Sequence, residues 1–308
     1  MGRDRLCGRE SDDALEPVSI ATIVIIIVAT VYAFLRKTLL SLIYGVAILA
    51  VYALEAASSA FGSVVLSPIP WELGVFVAPG IPPTPWSWLT FEFVHASETH
   101  VFLNLLGLLL ISPTFEERVG SARWGILFFA GGAFGALVFV LVHLGEARLL
   151  VGASAGIFAA FGAYGRLYPR DRVTLFLPLP RMPTLPVVQM VVLFLAAEAL
   201  LGFLGPGGIA WEAHVGALGF GFVAAPAVMR LPLAGGHRRL RSVEGLRPLA
   251  TTPDLRRLLE EVERADLPET REAWFDAFVR AARCPNCGGP LRRRSDRVQS
   301  ACGWRSTL

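Results

Sequence analysis

Charged residues are scarce in this chain of 308 residues. Asp, Glu, Lys and Arg make up 17% of it, hydrophobic residues make up 54%, and the mean hydropathy is +0.56. A soluble globular domain needs more charge on its surface and fewer apolar side chains than this. The composition therefore excludes an ordinary soluble enzyme and predicts a protein that crosses the membrane several times.

Cysteine is also scarce, and four residues in a chain of this length do not suggest a disulfide framework. Cys284 and Cys287 form a CxxC pair, and Cys302 followed by glycine resembles the second half of a zinc ribbon. The position that would complete a second CxxC pair is Gln299, a poor zinc ligand. The pattern leaves two interpretations open, a zinc site held by three cysteines and a further group, or a degenerate ribbon without metal.

Apolar runs long enough to cross roughly 30 Å of hydrocarbon as helices account for most of the first 231 residues. They fall at 17–35, 39–61, 101–111 with a polar lead-in, 124–143, 153–168, 185–204 and 209–231. We interpret the first run as an additional transmembrane helix and not as a cleavable signal, because it is longer than the apolar region of a signal peptide.

The basic residues alternate between the loops, which predicts the orientation. The loop 62–94 has no Lys or Arg, whereas the loops at 112–123 and 166–184 and the tail beyond Arg230 carry several. Basic loops face the cytoplasm. We therefore expect an integral, multi-pass protein of a prokaryotic cell membrane, with a cytoplasmic tail and with the loop 62–94 on the outer side.

Polar residues within apolar spans are expensive and mark functional positions. His100 and Asn104 are four residues apart, on one face of a helix. Ser154 lies in the small-residue stretch "VGASAG", and His214 precedes Gly216, Gly219 and Gly221. Small residues let helices approach closely, so the serine and the histidine are candidates for a nucleophile and its base. Taken alone, each also has an ordinary packing or pairing interpretation.

At these residues the chain resembles the rhomboid family of intramembrane serine proteases. The HxxxxHxxxN pattern of that family is met by His95, His100 and Asn104, its GxSx pattern by Gly152 and Ser154, and its last histidine motif by Ala213 and His214. The resemblance covers roughly residues 39–231. The chain departs from the family pattern where Ser87 replaces an arginine after tryptophan and where Ala155 and Ala217 replace glycines.

The resemblance implies an all-α membrane protein, with a six-helix rhomboid-like core, one additional N-terminal transmembrane helix and a small cytosolic tail. It implies a Ser154 and His214 dyad, with an oxyanion hole formed by His100, Asn104 and the backbone of Ser154. His95, Gly152 and Phe158 would be structural residues near the site. The substrates would be transmembrane helices in the lipid bilayer, and neither a catalytic cofactor nor nucleic acid is expected.

These expectations divide the chain into a segment 1–38 with the additional helix, a protease core 39–231, a charged helical linker 232–283 and a zinc-ribbon-like motif 284–308.

Two other functions stay open. One is a metalloprotease, because "HASETH" comes near a zinc-binding motif with one residue too many. The other is a rhomboid-like scaffold that binds membrane helices without cleaving them. Glu212 and Glu198 are candidates for an acid that orients His214.

Overall fold

The computed structural model describes residues 15–59, 64–174, 184–204, 210–233, 244–265, 268–294 and 297–307. The chain divides into two compact units, Met1–Gly235 and Gly236–Leu308. Cys7, the fourth cysteine of the sequence, lies outside the described residues.

The first unit is helical. Its helices are α1 (Pro17–Arg36), α2 (Leu40–Ser58), α3 (Ile69–Leu73), α4 (Ser87–Thr90), α5 (Glu98–Val119), α6 (Ser121–Val142), α7 (Ser154–Leu167), α8 (Val187–Leu204) and α9 (Trp211–Met229). Among the described residues, α1, α2, α5, α6 and α9 are long and apolar enough to cross a membrane. The unit is thus a multi-pass membrane protein, as the composition predicts.

The helix α5 is longer than the apolar run 101–111 suggested, because a polar cap and a buried acid extend it at both ends. Ser97 caps its start by accepting a hydrogen bond from the backbone N–H of His100 at 3.2 Å. Near its end, the Glu116 carboxylate accepts hydrogen bonds from the backbone N–H groups of Leu40 (2.5 Å) and Ser41 (2.8 Å). An acid at that position accepts hydrogen bonds from N–H groups that have no partner within the first turn of α2, and its negative charge interacts favourably with the positive end of the helix dipole.

The loop that separates α2 from α5 is structured, with two short helices and a strand. Residues Val75–Val77 form β1, which pairs antiparallel with β2 (Arg148–Leu150), so that Val75 lies opposite Leu150. A 3₁₀ turn at Phe91–Phe93 follows α4. This pairing joins the loop to the segment that leads into α7. A second two-stranded pair, β3 (Arg172–Thr174) and β4 (Thr184–Pro186), precedes α8.

The helices α6, α7 and α9 pack closely because glycines face their neighbours. A Cβ on Gly221 of α9 would collide with the Ala159 carbonyl of α7, and one on Gly216 would lie 2.8 Å from Val138 of α6. Gly219, by contrast, faces nothing within 4 Å in the described part of the chain. The expectation that all three glycines serve helix contact is therefore wrong for Gly219, which turns away from both neighbours.

The second unit has its own apolar core. It contains the 3₁₀ turn Glu244–Leu249, the helices α10 (Pro253–Arg264) and α11 (Pro268–Ala281), and an antiparallel sheet of β5 (Leu291–Arg294), β6 (Arg297–Ser300) and β7 (Arg305–Thr307) in that order. Thr252 caps α10 by accepting a hydrogen bond from Leu255 N–H at 3.3 Å, and Pro253 suits its first position. Phe275, Phe278 and Val298 are fully buried between the helices and the sheet.

The contact between α7 and α9 generates a stability prediction. Gly221→Ala should destabilise the protein by about 1–3 kcal/mol, because the new methyl group meets a backbone carbonyl that cannot rotate away. Gly219→Ala is the matched control in the same helix. It should leave stability unchanged or raise it by at most about 1 kcal/mol, since alanine favours helix and has open space there. Unfolding in mixed micelles measures both, and equal stability of the two variants would contradict the contact.

Candidate active site

A serine and a histidine meet where α7 and α9 begin. The Oγ atom of Ser154, the first residue of α7, lies 2.6 Å from Nε2 of His214 in the first turn of α9. At that distance the hydroxyl can donate a hydrogen bond to Nε2 when this ring nitrogen is unprotonated. The serine is partly exposed, whereas His214 is 5% exposed. A hydroxyl open to an incoming group is thus paired with a buried imidazole.

The turn before α7 fixes the position of Ser154. Gly152 has φ = +116°, a conformation that side chains with a Cβ rarely adopt, and its N–H donates to the Phe91 carbonyl at 2.9 Å. The strand β2 enters this turn already paired with β1. The serine is therefore held from the loop side by the sheet and by the 3₁₀ turn at Phe91–Phe93.

Phe158 packs flat on the histidine ring. The two ring centroids are 4.9 Å apart and the planes make an angle of 15°. Phe158 comes four residues after Ser154, which places both on the same face of α7, the one that meets His214. The stacking limits how the imidazole can rotate away from the hydroxyl.

The side chains of His100 and Asn104 lie against Gly152. A Cβ on Gly152 would be 2.5 Å from His100 Nε2 and 3.4 Å from Asn104 Nδ2, so the absent side chain makes room for both groups. Ala96 N–H donates to His100 Nδ1 at 3.5 Å, which assigns the proton of the neutral ring to Nε2. The Asn104 amide donates to the His100 carbonyl at 3.1 Å and is 5% exposed as a residue.

Three kinds of donor lie close to Gly152, two residues before Ser154. They are His100 Nε2–H, the Asn104 amide and the backbone N–H groups of the first turn of α7, which have no partner within that helix. Donors fixed in place around a hydroxyl paired with an imidazole can stabilise negative charge that develops on an oxygen bound to Ser154. The arrangement suits acyl transfer.

His95 is placed differently from His100. It is fully buried, its backbone N–H donates to the Glu55 carboxylate of α2 at 3.2 and 3.3 Å, and its Nδ1 lies 3.4 Å from the Phe93 carbonyl. Its ring meets that of His100 edge-on, with centroids 5.0 Å apart. These contacts tie the loop before α5 to α2 and support His100 from behind.

Glu92 is a residue that the sequence motifs did not single out. Its side chain is fully buried, and its carboxylate fills a notch left by Gly132 of α6 and Gly156 of α7, where a Cβ on Gly156 would lie 2.5 Å from Oε2. Both carboxylate oxygens lack a hydrogen-bond partner among the described residues. The signal in the sequence is an acid between two phenylalanines, just before the first histidine motif.

Glu212 contacts a different histidine from the one considered in the sequence. Its Oε1 lies 2.8 Å from His143 Nε2, at the end of α6, and His143 Nδ1 lies 3.2 Å from Glu146. Arg148 donates to Glu146 at 3.0 Å; this hydrogen bond, and next that from His143, lower the pKa of the Glu146 carboxyl. The cluster links the start of α9 to the loop after α6, so Glu212 positions the helix that carries His214.

The candidate metal ligands lie in the second unit. Within the described residues, the one group of three Cys, His, Asp or Glu side chains close enough to share an ion is Cys284, Cys287 and Cys302, whose sulfur atoms are within 4.8 Å of one another. Among the residues that the structure describes, the two histidines of "HASETH" are not part of such a group, so the cysteines are the candidate metal ligands.

Comparisons with known proteins cover the part of the chain that contains this site. Residues 82–231, which include Ser154 and His214, match the family model described as the Rhomboid domain. RHOMBOID-like protein 1 of Arabidopsis thaliana is 35% identical over 78 residues, which are 25% of this chain and 20% of that protein.

Two relatives that are named as proteases match segments of similar length. A putative rhomboid protease of Bacillus subtilis is 32% identical over 80 residues, 26% of this chain and 39% of that protein. Rhomboid-like protease 3 of Toxoplasma gondii is 35% identical over 77 residues, 25% of this chain and 28% of that protein. The matches thus cover less than half of each of these relatives, and together with the domain match they show that this chain contains a Rhomboid domain at residues 82–231, just under half of its length.

Proposed function

We propose that this protein is an intramembrane serine endopeptidase. The observation that carries the proposal is the 2.6 Å contact between Ser154 Oγ and His214 Nε2, in the first turns of α7 and α9. Rhomboid family membership, with relatives named as proteases, supports an intramembrane protease at the level of the family. The substrates would be transmembrane segments of other proteins, reached within the lipid bilayer.

The reaction follows from the positions of the proton donors and acceptors. His214 Nε2 takes the proton of Ser154 as Oγ attacks the peptide carbonyl, and the resulting oxyanion is stabilised by His100, Asn104 and the Ser154 backbone N–H. His214 then gives the proton to the leaving amine, which leaves an acyl-serine. Water, deprotonated by the same imidazole, releases the acyl group and regenerates the hydroxyl. The proposed chemistry uses no cofactor.

We also propose that the site opens to the outer side of the membrane. The loop 62–94, which contains β1 and the 3₁₀ turn that hold the Ser154 turn, has no Lys or Arg, whereas basic residues follow α5 and α7. Trp71 and Trp86 on this loop are 47% and 37% exposed, as expected for residues at the membrane interface.

The first prediction from this function concerns the dyad. Ser154→Ala and His214→Ala should each abolish cleavage of a generic transmembrane substrate in liposomes, because the two groups act as a unit. Ser112→Ala is the control, since Ser112 is also a buried serine of a membrane helix but lies further along α5. It should cleave normally. Cleavage by either dyad variant would refute the mechanism, and a folded wild type that binds helices without cleaving them would favour the scaffold function.

A second prediction separates the oxyanion donors from binding residues. Asn104→Ala should lower kcat by roughly 10- to 1000-fold with little change in KM, because the lost donor acts on charge that exists only in the transition state. His100→Ala should behave in the same way. His95→Ala should change the free energy of unfolding more than kcat, since it removes a fully buried ring whose Nδ1 lies against the Phe93 carbonyl. A rise in KM alone for Asn104→Ala would make it a binding residue.

The orientation is tested by labelling single cysteines with an impermeant thiol reagent. In a chain whose own cysteines are replaced by serine, Pro82→Cys and Arg170→Cys both occupy exposed positions, whereas Ser87 is fully buried and unsuitable. Pro82→Cys should react in intact cells, and Arg170→Cys only after the membrane is opened. Reaction of both from the same side would overturn the outward-facing site.

A further inference from the structure

The thiols of Cys284, Cys287 and Cys302 in the second unit lie close together, although the first and the last of them are 18 residues apart in the sequence. The sulfur atoms of Cys284 and Cys302 are 3.5 Å apart, and all three sulfur atoms lie within 4.8 Å of one another. With zinc-to-sulfur distances of about 2.3 Å, a tetrahedral site places neighbouring sulfur atoms about 3.8 Å apart. The three thiols therefore lie near the corners of such a site.

Two tight turns bring these thiols together. In the first, Gly288 N–H donates to the Cys284 carbonyl at 2.8 Å, and Gly288 has φ = +68°. In the second, between β6 and β7, Gly303 N–H donates to the Ser300 carbonyl at 3.1 Å, and Gly303 has φ = +88°. Both turns depend on a glycine in a left-handed conformation, so the cysteines sit on defined backbone geometry.

A hydroxyl lies beside this cluster of thiols. Ser300 Oγ is 3.4 Å from Cys287 Sγ, close to the distance of about 3.6 Å between sulfur and oxygen ligands of one zinc ion. A Cβ on Gly289 would lie 3.3 Å from Cys287 Sγ and 3.7 Å from Ser300 Oγ, so this glycine leaves the corner accessible to both.

Gln299, the position that the CxxC spacing indicates, is on the other face of the sheet. In β6, Val298 and Ser300 are buried whereas Arg297 and Gln299 are partly exposed, the alternation of a strand with one covered face. Gln299 pairs with Arg292 of β5 and Arg305 of β7. The spacing argument is therefore wrong by one residue, because β6 continues through position 300 before the turn begins.

We propose that the second unit binds one zinc ion through the thiolates of Cys284, Cys287 and Cys302, with Ser300 at the fourth corner. Thiolate ligands select zinc and other soft ions over magnesium and calcium. Cys287 and Cys302 are exposed, so the ion is reached directly from solvent. It ties the turn after α11 to the turn between β6 and β7, and its binding is coupled to the folding of the sheet.

The test uses the full chain with Cys7→Ser, purified in detergent with a phosphine reductant and stripped of metal. Zinc is titrated in competition with a chromophoric chelator, and cobalt is used as a spectroscopic substitute. We expect one ion per chain, lost in Cys284→Ser. Ser300→Cys should tighten zinc binding by at least roughly tenfold and raise the cobalt–thiolate charge-transfer absorbance by about one third, as three thiolates become four.

Gln299→Cys is the matched control, one residue away on the opposite face, and it should leave both the affinity and the cobalt spectrum unchanged. Ser300→Ala should weaken zinc binding by roughly tenfold while three thiolates stay bound. Failure of the wild type to bind stoichiometric zinc overturns the site. Tighter binding by Gln299→Cys, with no gain from Ser300→Cys, overturns the assignment of the fourth corner. None of these readouts depends on peptidase activity.

Discussion

The backbone contact between α7 and α9 is the constraint on which the rest of the structure depends. In a lipid environment, apolar surface gives helices no reason to associate, so close packing at small residues has to hold them together. Gly221 against Ala159 and Gly162 against Leu218 provide that packing. Gly221 lies two turns, roughly 10 Å, beyond His214. A tilt of roughly 5° about this contact moves the imidazole by ~1 Å, a displacement that can cost about 100-fold in rate.

The ends of the helices near Ser154 and His214 are held by polar contacts instead. Glu212 and His143 join α9 to α6, Glu55 joins α2 to the loop before α5, and the carbonyl of Phe91 holds the turn at Gly152. Polar contacts suit a site that has to admit water for the second half of the proposed reaction. The glycine contact between α7 and α9 and the polar contacts at the helix ends together position Ser154 and His214.

Much of the fold and of the site follows from local patterns. Within the described residues, five of the seven apolar runs form helices long and apolar enough to cross a membrane, whereas α7 has only 14 residues. The spacing of His100 and Asn104 predicts a shared helical face. Features that depend on residues distant in the chain were not predictable. The pairing of β1 with β2, the notch that receives Glu92 and the outward turn of Gly219 each depend on which helix packs beside which. Gln299 completes the CxxC spacing but lies on the more exposed face of β6, whereas Ser300 lies on the buried face, because successive residues of a strand point to opposite faces.

The notch at Glu92 has a consequence for how the sequence can change over time. The carboxylate takes the space that side chains at positions 132 and 156 would otherwise fill, and a Cβ on Gly132 would collide with it. The three positions therefore behave as one volume shared among three elements. A shorter side chain at 92 leaves room for alanine at 132 or 156, while either alanine is incompatible with glutamate at 92 unless the backbone moves. In related chains, the size of the side chain at position 92 should therefore change together with the sizes at positions 132 and 156. A hybrid that combines the loop of one chain with the helices of another should pack poorly beneath the serine.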